Sequence, residues 1–195
     1  MMPKPMPAHV AEMLSRRYVT ADLGCGGSKR GDIGIDFAEL DGVDVVCQLG
    51  FEPIPLPDSS VDKCFAYDFL EHLPKIAHAA VDGRWKDHRP HLMLFNEVFR
   101  ILKPEGLFET VTPVTEPEAN GRALHVSVWN RETFLCFASR GFPAETRRIW
   151  AAENRMMQWH GYTAEFELQD YSEIEWIPGK RSHAKVVFKS LKPAP

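Results

Sequence analysis

The chain has 195 residues, 44% apolar and 26% charged, with a formal net charge of −4. That length supports one hydrophobic core and not two comfortable ones. The acidic balance gives no electrostatic pull toward nucleic acid or an anionic membrane surface. The reading is one domain over residues 1–195, with an N-terminal extension at 1–17, an insertion at 75–90 and a loose tail at 192–195. Cys25, Cys47, Cys64 and Cys136 form no CxxC pair. This argues against a disulfide framework or a thiolate zinc site and for reduced thiols in the cytosol. Residues 1–17 lack the apolar core of a secretory signal, and no window approaches the roughly 18 apolar residues that cross a bilayer. A cytoplasmic protein is expected.

In chain order, residues 8–17 predict a short amphipathic helix with Val10, Met13 and Leu14 on one face. Residues 18–23 predict a first strand running into Gly24-Cys25-Gly26-Gly27-Ser28, residues 33–37 a second, and residues 43–47 a third. Pro53, Pro55 and Pro57 forbid regular structure, Asp58-Ser59-Ser60 is a turn, and residues 61–67 form a fourth strand. Residues 69–74 begin a helical region, and 77–90 is polar without a clear period. A helix at 91–102 turns Leu94, Val98, Ile101 and Leu102 inward and stops at Lys103-Pro104-Glu105-Gly106. A fifth strand spans 107–111, Asn120-Gly121 marks a loop, and a helix at 131–139 is capped by Asn130 and stopped by Gly141. Residues 165–176 and 184–191 read as strands around Pro178-Gly179. The alternation predicts an α/β fold: a Rossmann-like, mostly parallel sheet with helices on both faces and an antiparallel C-terminal hairpin.

The central constellation is Asp22-Leu23-Gly24-Cys25-Gly26-Gly27, with Asp36 closing the next strand. Open α/β sheets bind ligands at the carboxyl ends of strands, where strand order reverses. Glycines there admit close backbone approach, and a carboxylate closing the second strand suits ribose hydroxyls. These residues fit a nucleoside-containing cofactor; the glycines alone would also fit a plain tight turn. Ser28-Lys29-Arg30-Gly31-Asp32 is too short and polar for a crossover helix, and no full GxGxxG opens one. Lys29 and Arg30 read as a solvated pair or as positive charge for a ligand.

Four segments resemble one family. "ADLGCGGSKRGDIGIDF" is similar to motif I and the second strand of class I S-adenosylmethionine-dependent methyltransferases, of the type 11-like kind with a short GCG loop. "PIPLPDSSVDKCFAYDFLEHLP", "NEVFRILKPEGLFETVTP" and "HVSVWNRETFLCFASRGF" resemble the segments that follow in that family. The matches are collinear over about residues 18–142. The resemblance implies S-adenosyl-L-methionine as cofactor. Gly24 and Gly26, with Cys25 between them, would line its methionine portion, Asp22 would lie near its ammonium, and Asp36 would hold its ribose diol. Where the family carries an acidic residue for the adenine, this chain has Gln48 beside Leu49; an amide still pairs with an adenine edge. Tyr67, Asp68 and Phe69 close the fourth strand, where the family packs the cofactor and begins the substrate pocket.

Candidate catalytic residues are His125, His72 and Glu71. By the resemblance Glu71 and His72 lie near the cofactor or the substrate mouth; as a plain reading they are a hydrogen-bonded pair at a helix start. His125 follows the loop after the fifth strand and would accept a proton from a hydroxyl or amine, or bond to backbone. Trp129 with Asn130 reads as a pocket wall or a core tryptophan. Trp150, Met156, Met157 and Trp159 read as an apolar cover, core or dimer face. No metal is expected at Asp87, His88 and His91, and the basic run around Trp85 reads as a solvated insertion or a lid. The acceptor expected is a small molecule or a sugar-like compound; nucleic acid is not indicated, no membrane is involved, and oligomeric state stays open. The rival expectation is a catalytically inactive scaffold domain acting in an assembly.

Overall fold

A computed structural model describes residues 5–81 and 84–194. In chain order its elements are α1 (Ala8–Leu14), β1 (Thr20–Leu23), β2 (Ile33–Asp36), β3 (Val45–Val46), β4 (Val61–Tyr67), a 3-10 turn (Leu70–His72), β5 (Ala77–Val81), β6 (Arg84–His88), α2 (Pro90–Ile101), β7 (Leu102–Pro113), α3 (Arg131–Cys136), α4 (Arg147–Trp159), β8 (Phe166–Ile177) and β9 (Lys180–Ser190). Seven strands form one sheet in the order β3-β2-β1-β4-β7-β9-β8. β1 pairs in parallel with β2 and β4, and β4 with β7, while β9 lies antiparallel between β7 and β8. The chain steps outward from β1 in both directions, so the strand order reverses between β1 and β4. Their carboxyl ends open a crevice there.

Packing on the sheet is unequal. Cys64, Phe108 and Phe188 are in register across β4, β7 and β9, and α2 lays its apolar stripe on that face. Phe95 of α2 sits 4.0 Å from Phe137, 5.3 Å from Phe108 and 5.7 Å from Phe188, ring to ring. Each such buried phenylalanine contributes about 1.5–3 kcal/mol. On the opposite face, Glu109 of β7 holds Lys63 at 2.9 Å and Lys185 at 3.4 Å, a charged ladder where a helix would otherwise bury apolar strand residues.

Among the described residues no helix lies between Leu23 and Val61, so the loss expected for the first crossover extends to the next two. The proline-rich stretch before β4 is held by side chains instead. Arg100 of α2 donates to the carbonyls of Ile54 at 2.6 Å and Leu56 at 2.8 Å, and Glu97 accepts from the Ile54 N–H. Within the 77–90 segment, read as polar and poorly periodic, β5 and β6 pair antiparallel. Lys103-Pro104-Glu105-Gly106 does stop α2, but β7 begins at once and carries it within an irregular pairing with β4. Helix α4 was not expected. Its burial is thin: only Asn154 is buried, donating to the Cys136 carbonyl at 3.0 Å. The four cysteines are free. No described helix is long and apolar enough to cross a membrane.

Candidate functional site

The loop after β1 is shaped by backbone bonds to β2. The N–H groups of Gly24 and Cys25 donate to the Ile35 carbonyl. Asp36, 6% exposed, accepts from the Gly26 N–H at 2.9 Å and the Ala38 N–H at 3.3 Å. Gly24, Gly26, Asp36, Gln48, Leu49 and Phe69 line a cavity of about 560 Å³, with the Phe69 ring packed against Gly24. The rim is apolar and exposed: Phe37 is 70% accessible, Leu124 74% and Val126 56%. Large apolar side chains left in solvent around a polar floor mark a ligand site.

A second cavity of about 620 Å³ adjoins the first, and Asp68, His72 and Leu124 line both. Asp68 has a left-handed backbone, φ 49°, and its carboxylate takes His183 Nε2 at 2.9 Å and Trp176 Nε1 at 3.0 Å. Burial pushes the His183 imidazole down, against the pull of Asp68. Glu71 is 1% exposed. One of its oxygens accepts from Thr112 Oγ1 at 2.7 Å, and burial raises its carboxyl above the usual range. The Glu71 carbonyl accepts from the N–H groups of Val126 and Ser127, and His72 Nδ1 lies 3.0 Å from the Leu124 carbonyl. These bonds seam the turn after β4 to the loop carrying His125. The three candidate catalytic residues, Glu71, His72 and His125, each present a side-chain atom within 4.8 Å of the others.

Of the expected cofactor residues, Gly24, Gly26, Asp36, Gln48, Leu49 and Asp68 line the first cavity. Asp22, Cys25 and Tyr67 lie outside its lining. Asp22 is buried under the loop and accepts from the Arg30 N–H at 2.6 Å, and burial raises its carboxyl. Burial pushes the Cys25 thiol up to about 11. Tyr67 points to the other sheet face, donates to Glu109, and carries Arg30 over its ring at 4.9 Å. Trp129 is a core tryptophan, fully buried, and donates to the Leu70 carbonyl at 3.1 Å. Asn130 caps α3 through the Thr133 N–H. His88 is bonded to the Gly50 carbonyl, and His91 is buried against Trp129. The sequence did not point to Thr112, Trp176 or His183. They reach the site through β7 and the β8–β9 hairpin, a pairing between distant segments that leaves no local pattern.

No protein-family model and no curated protein matches the chain. Solved structures do match. The antibiotic-resistance methyltransferase Kmr is 14% identical, with 94% of this chain and 92% of that one covered, at a TM-score of 0.50. The 4+2 cyclase SpnF is 16% identical, covering 96% and 79%, at a TM-score of 0.51. A SAM-dependent methyltransferase from Methanosarcina mazei is 16% identical, covering 97% and 100%, at a TM-score of 0.48. At these identities the likeness is one of fold alone, a Rossmann-like α/β fold that a methyltransferase and a cyclase share.

Proposed function

We propose that this chain, folded as a class I methyltransferase, moves a methyl group from S-adenosyl-L-methionine to an oxygen or nitrogen of a small-molecule acceptor. The carrying observation is the pair of adjoining cavities that meet at Asp68, His72 and Leu124. One fits a nucleoside, and the other brings titratable groups to its border. Fold alone does not decide the reaction, since a cyclase shares it.

The first cavity fits S-adenosyl-L-methionine on its own features. Asp36 has carboxylate lone pairs left for a ribose diol after its two backbone bonds. Gly26 leaves open space where a Cβ would stand. The apolar rim suits an adenine, with the exposed Gln48 amide beside it. When bound, the cofactor supplies an electrophilic methyl carbon. The protein's part is to hold an acceptor in line with it, an alignment that can supply several kcal/mol of the barrier. Glu71, His72 and His125 border the second cavity, where they would orient the acceptor atom.

Calorimetric titration of the purified chain with S-adenosyl-L-methionine, S-adenosylhomocysteine and NAD tests the reading. Micromolar binding of the first two and none of NAD is expected. A folded protein that binds neither sulfur nucleoside refutes it and leaves the scaffold role.

A further inference from the structure

Glu71, His72 and His125 combine two imidazoles and one carboxylate at a single point, and two of them are left unsatisfied. Glu71 Oε1 and His125 Nδ1 are both shut off from solvent with no hydrogen-bond partner. A buried polar atom left unpaired is destabilising. Both residues converge with His72, and a shared occupant would satisfy them. We propose that these three side chains form a binding site for a divalent transition-metal cation of the zinc or cobalt kind.

The donor set suits that class, since imidazole nitrogen and carboxylate oxygen together favour such ions over calcium or magnesium. The spacing suits it too. Ligands about 2.1 Å from a tetrahedral ion stand about 3.4 Å apart, and the present side-chain atoms lie within 4.8 Å of one another, so a small inward shift would bring them onto one ion. Outer-shell bonds already orient the donors. Thr112 Oγ1 donates to the other Glu71 oxygen at 2.7 Å, and His72 Nδ1–H donates to the Leu124 carbonyl at 3.0 Å, which turns Nε2 into a lone-pair donor. An entry path exists, because His72 is exposed and all three residues line the second cavity.

Three protein ligands leave a position open, as in catalytic rather than structural sites. It lies at the border of the proposed acceptor pocket. A cation there would take the oxygen of an acceptor hydroxyl and ease loss of its proton to solvent. That narrows the acceptor to compounds with a metal-binding hydroxyl, such as a vicinal diol or a hydroxy acid. The role in methyl transfer rests on the function proposed above; the site itself does not.

The test uses the untagged full chain, stripped with a chelator and titrated with Co2+ and then Zn2+. Visible d–d bands of a low-coordinate nitrogen and oxygen site, bleached by Zn2+, are expected. Glu71→Gln and His125→Ala should each weaken Co2+ binding at least ~100-fold, more than loss of an outer-shell partner does. Their circular dichroism and S-adenosylhomocysteine affinity should stay those of the wild type. Absence of Co2+ and Zn2+ binding in the wild type, or equal binding in both variants, overturns the proposal. Should the variants fail to fold, proton spectra of Co2+-loaded wild type decide: hyperfine-shifted imidazole N–H signals from two histidines support the site, and their absence overturns it. The same preparation is titrated with S-adenosylhomocysteine. Metal binding without nucleoside binding upholds the site and removes the methyl-transfer reading; nucleoside binding without metal overturns the site alone.

Discussion

The loop that floors the first cavity should be held by contact between Gly24 and Phe69, and Gly24→Ala measures it. A Cβ on Gly24 would stand 2.3 Å from Phe69 Cδ2 and 2.5 Å from Cγ, and the residue has φ 69°. The left-handed backbone costs an alanine about 1–2 kcal/mol. Forcing the packed Phe69 ring aside adds about 1–3 kcal/mol, for a total of about 2–5 kcal/mol. Gly26 is the internal control: its φ is 55°, yet a Cβ there meets nothing within 4 Å. Gly26→Ala should therefore lose only the backbone part, about 1–2 kcal/mol. The stiffer unfolded chain of an alanine variant is common to both and cancels in the comparison. Urea unfolding of both variants, and of Phe69→Ala alone and combined with Gly24→Ala, supplies the double-mutant cycle. A coupling of about 1–3 kcal/mol between positions 24 and 69 is expected. Equal losses at Gly24 and Gly26, or no coupling to Phe69, would refute the packing of this loop.

Asp36→Asn keeps one acceptor oxygen and removes the charge. Affinity for S-adenosyl-L-methionine and for S-adenosylhomocysteine should fall alike, by about 10- to 100-fold, because they share the ribose; calorimetry showing no loss would displace Asp36 from the cofactor role. His91 gives a pH signature. Burial pushes it down to about 4 from 6.5, so as pH falls the unfolded chain takes the proton first. Its contribution is intact above 6.5 and is lost between 6.5 and about 4, by up to about 3 kcal/mol. His91→Gln should flatten that part of the urea-midpoint profile, and an unchanged difference between pH 7 and pH 4.5 would refute the assignment. Tyr67→Phe removes the bond to Glu109 on the far sheet face. Stability should drop about 1 kcal/mol with nucleoside affinity unchanged; weakened binding would bring Tyr67 into the cofactor site.

Much of the frame was legible because it is local. Val61–Tyr67 appears over its expected span, and Asn130 caps α3 as read. Gly24 and Asp36 were legible as candidates because a glycine turn and a carboxylate close two successive strands, whereas Asp22, read with them, lies outside the cavity lining. Helix α4 was hidden because its apolar residues are only half used: Ile149 is 56% exposed and Trp159 83%, so composition and burial disagree. The β5–β6 hairpin was hidden by a polar sequence without alternation. The convergence of Glu71, His72 and His125 was legible residue by residue but not as a cluster, since it depends on the seam between the 3-10 turn and the loop after β7.

The structure also bears on which nucleoside cofactor fits. A dinucleotide places two phosphates at the turn after β1 and relies on a helix N-terminus or free cations to receive them. Among the described residues no helix stands between β1 and β2. The two cations of that loop are already engaged: Lys29 pairs with Asp44 at 2.6 Å, and Arg30 lies over the Tyr67 ring at 4.9 Å. The Asp36 carboxylate that the loop presents to the cavity suits a ribose diol, which both kinds of cofactor carry, so the discrimination rests on the missing phosphate partners. A sulfonium nucleoside carries no phosphate and a positive charge, so it matches where NAD does not. Millimolar NAD should fail to displace bound S-adenosylhomocysteine in a competition titration. Displacement would mean that Lys29 leaves Asp44 to meet a phosphate, and Lys29→Ala would then abolish the competition.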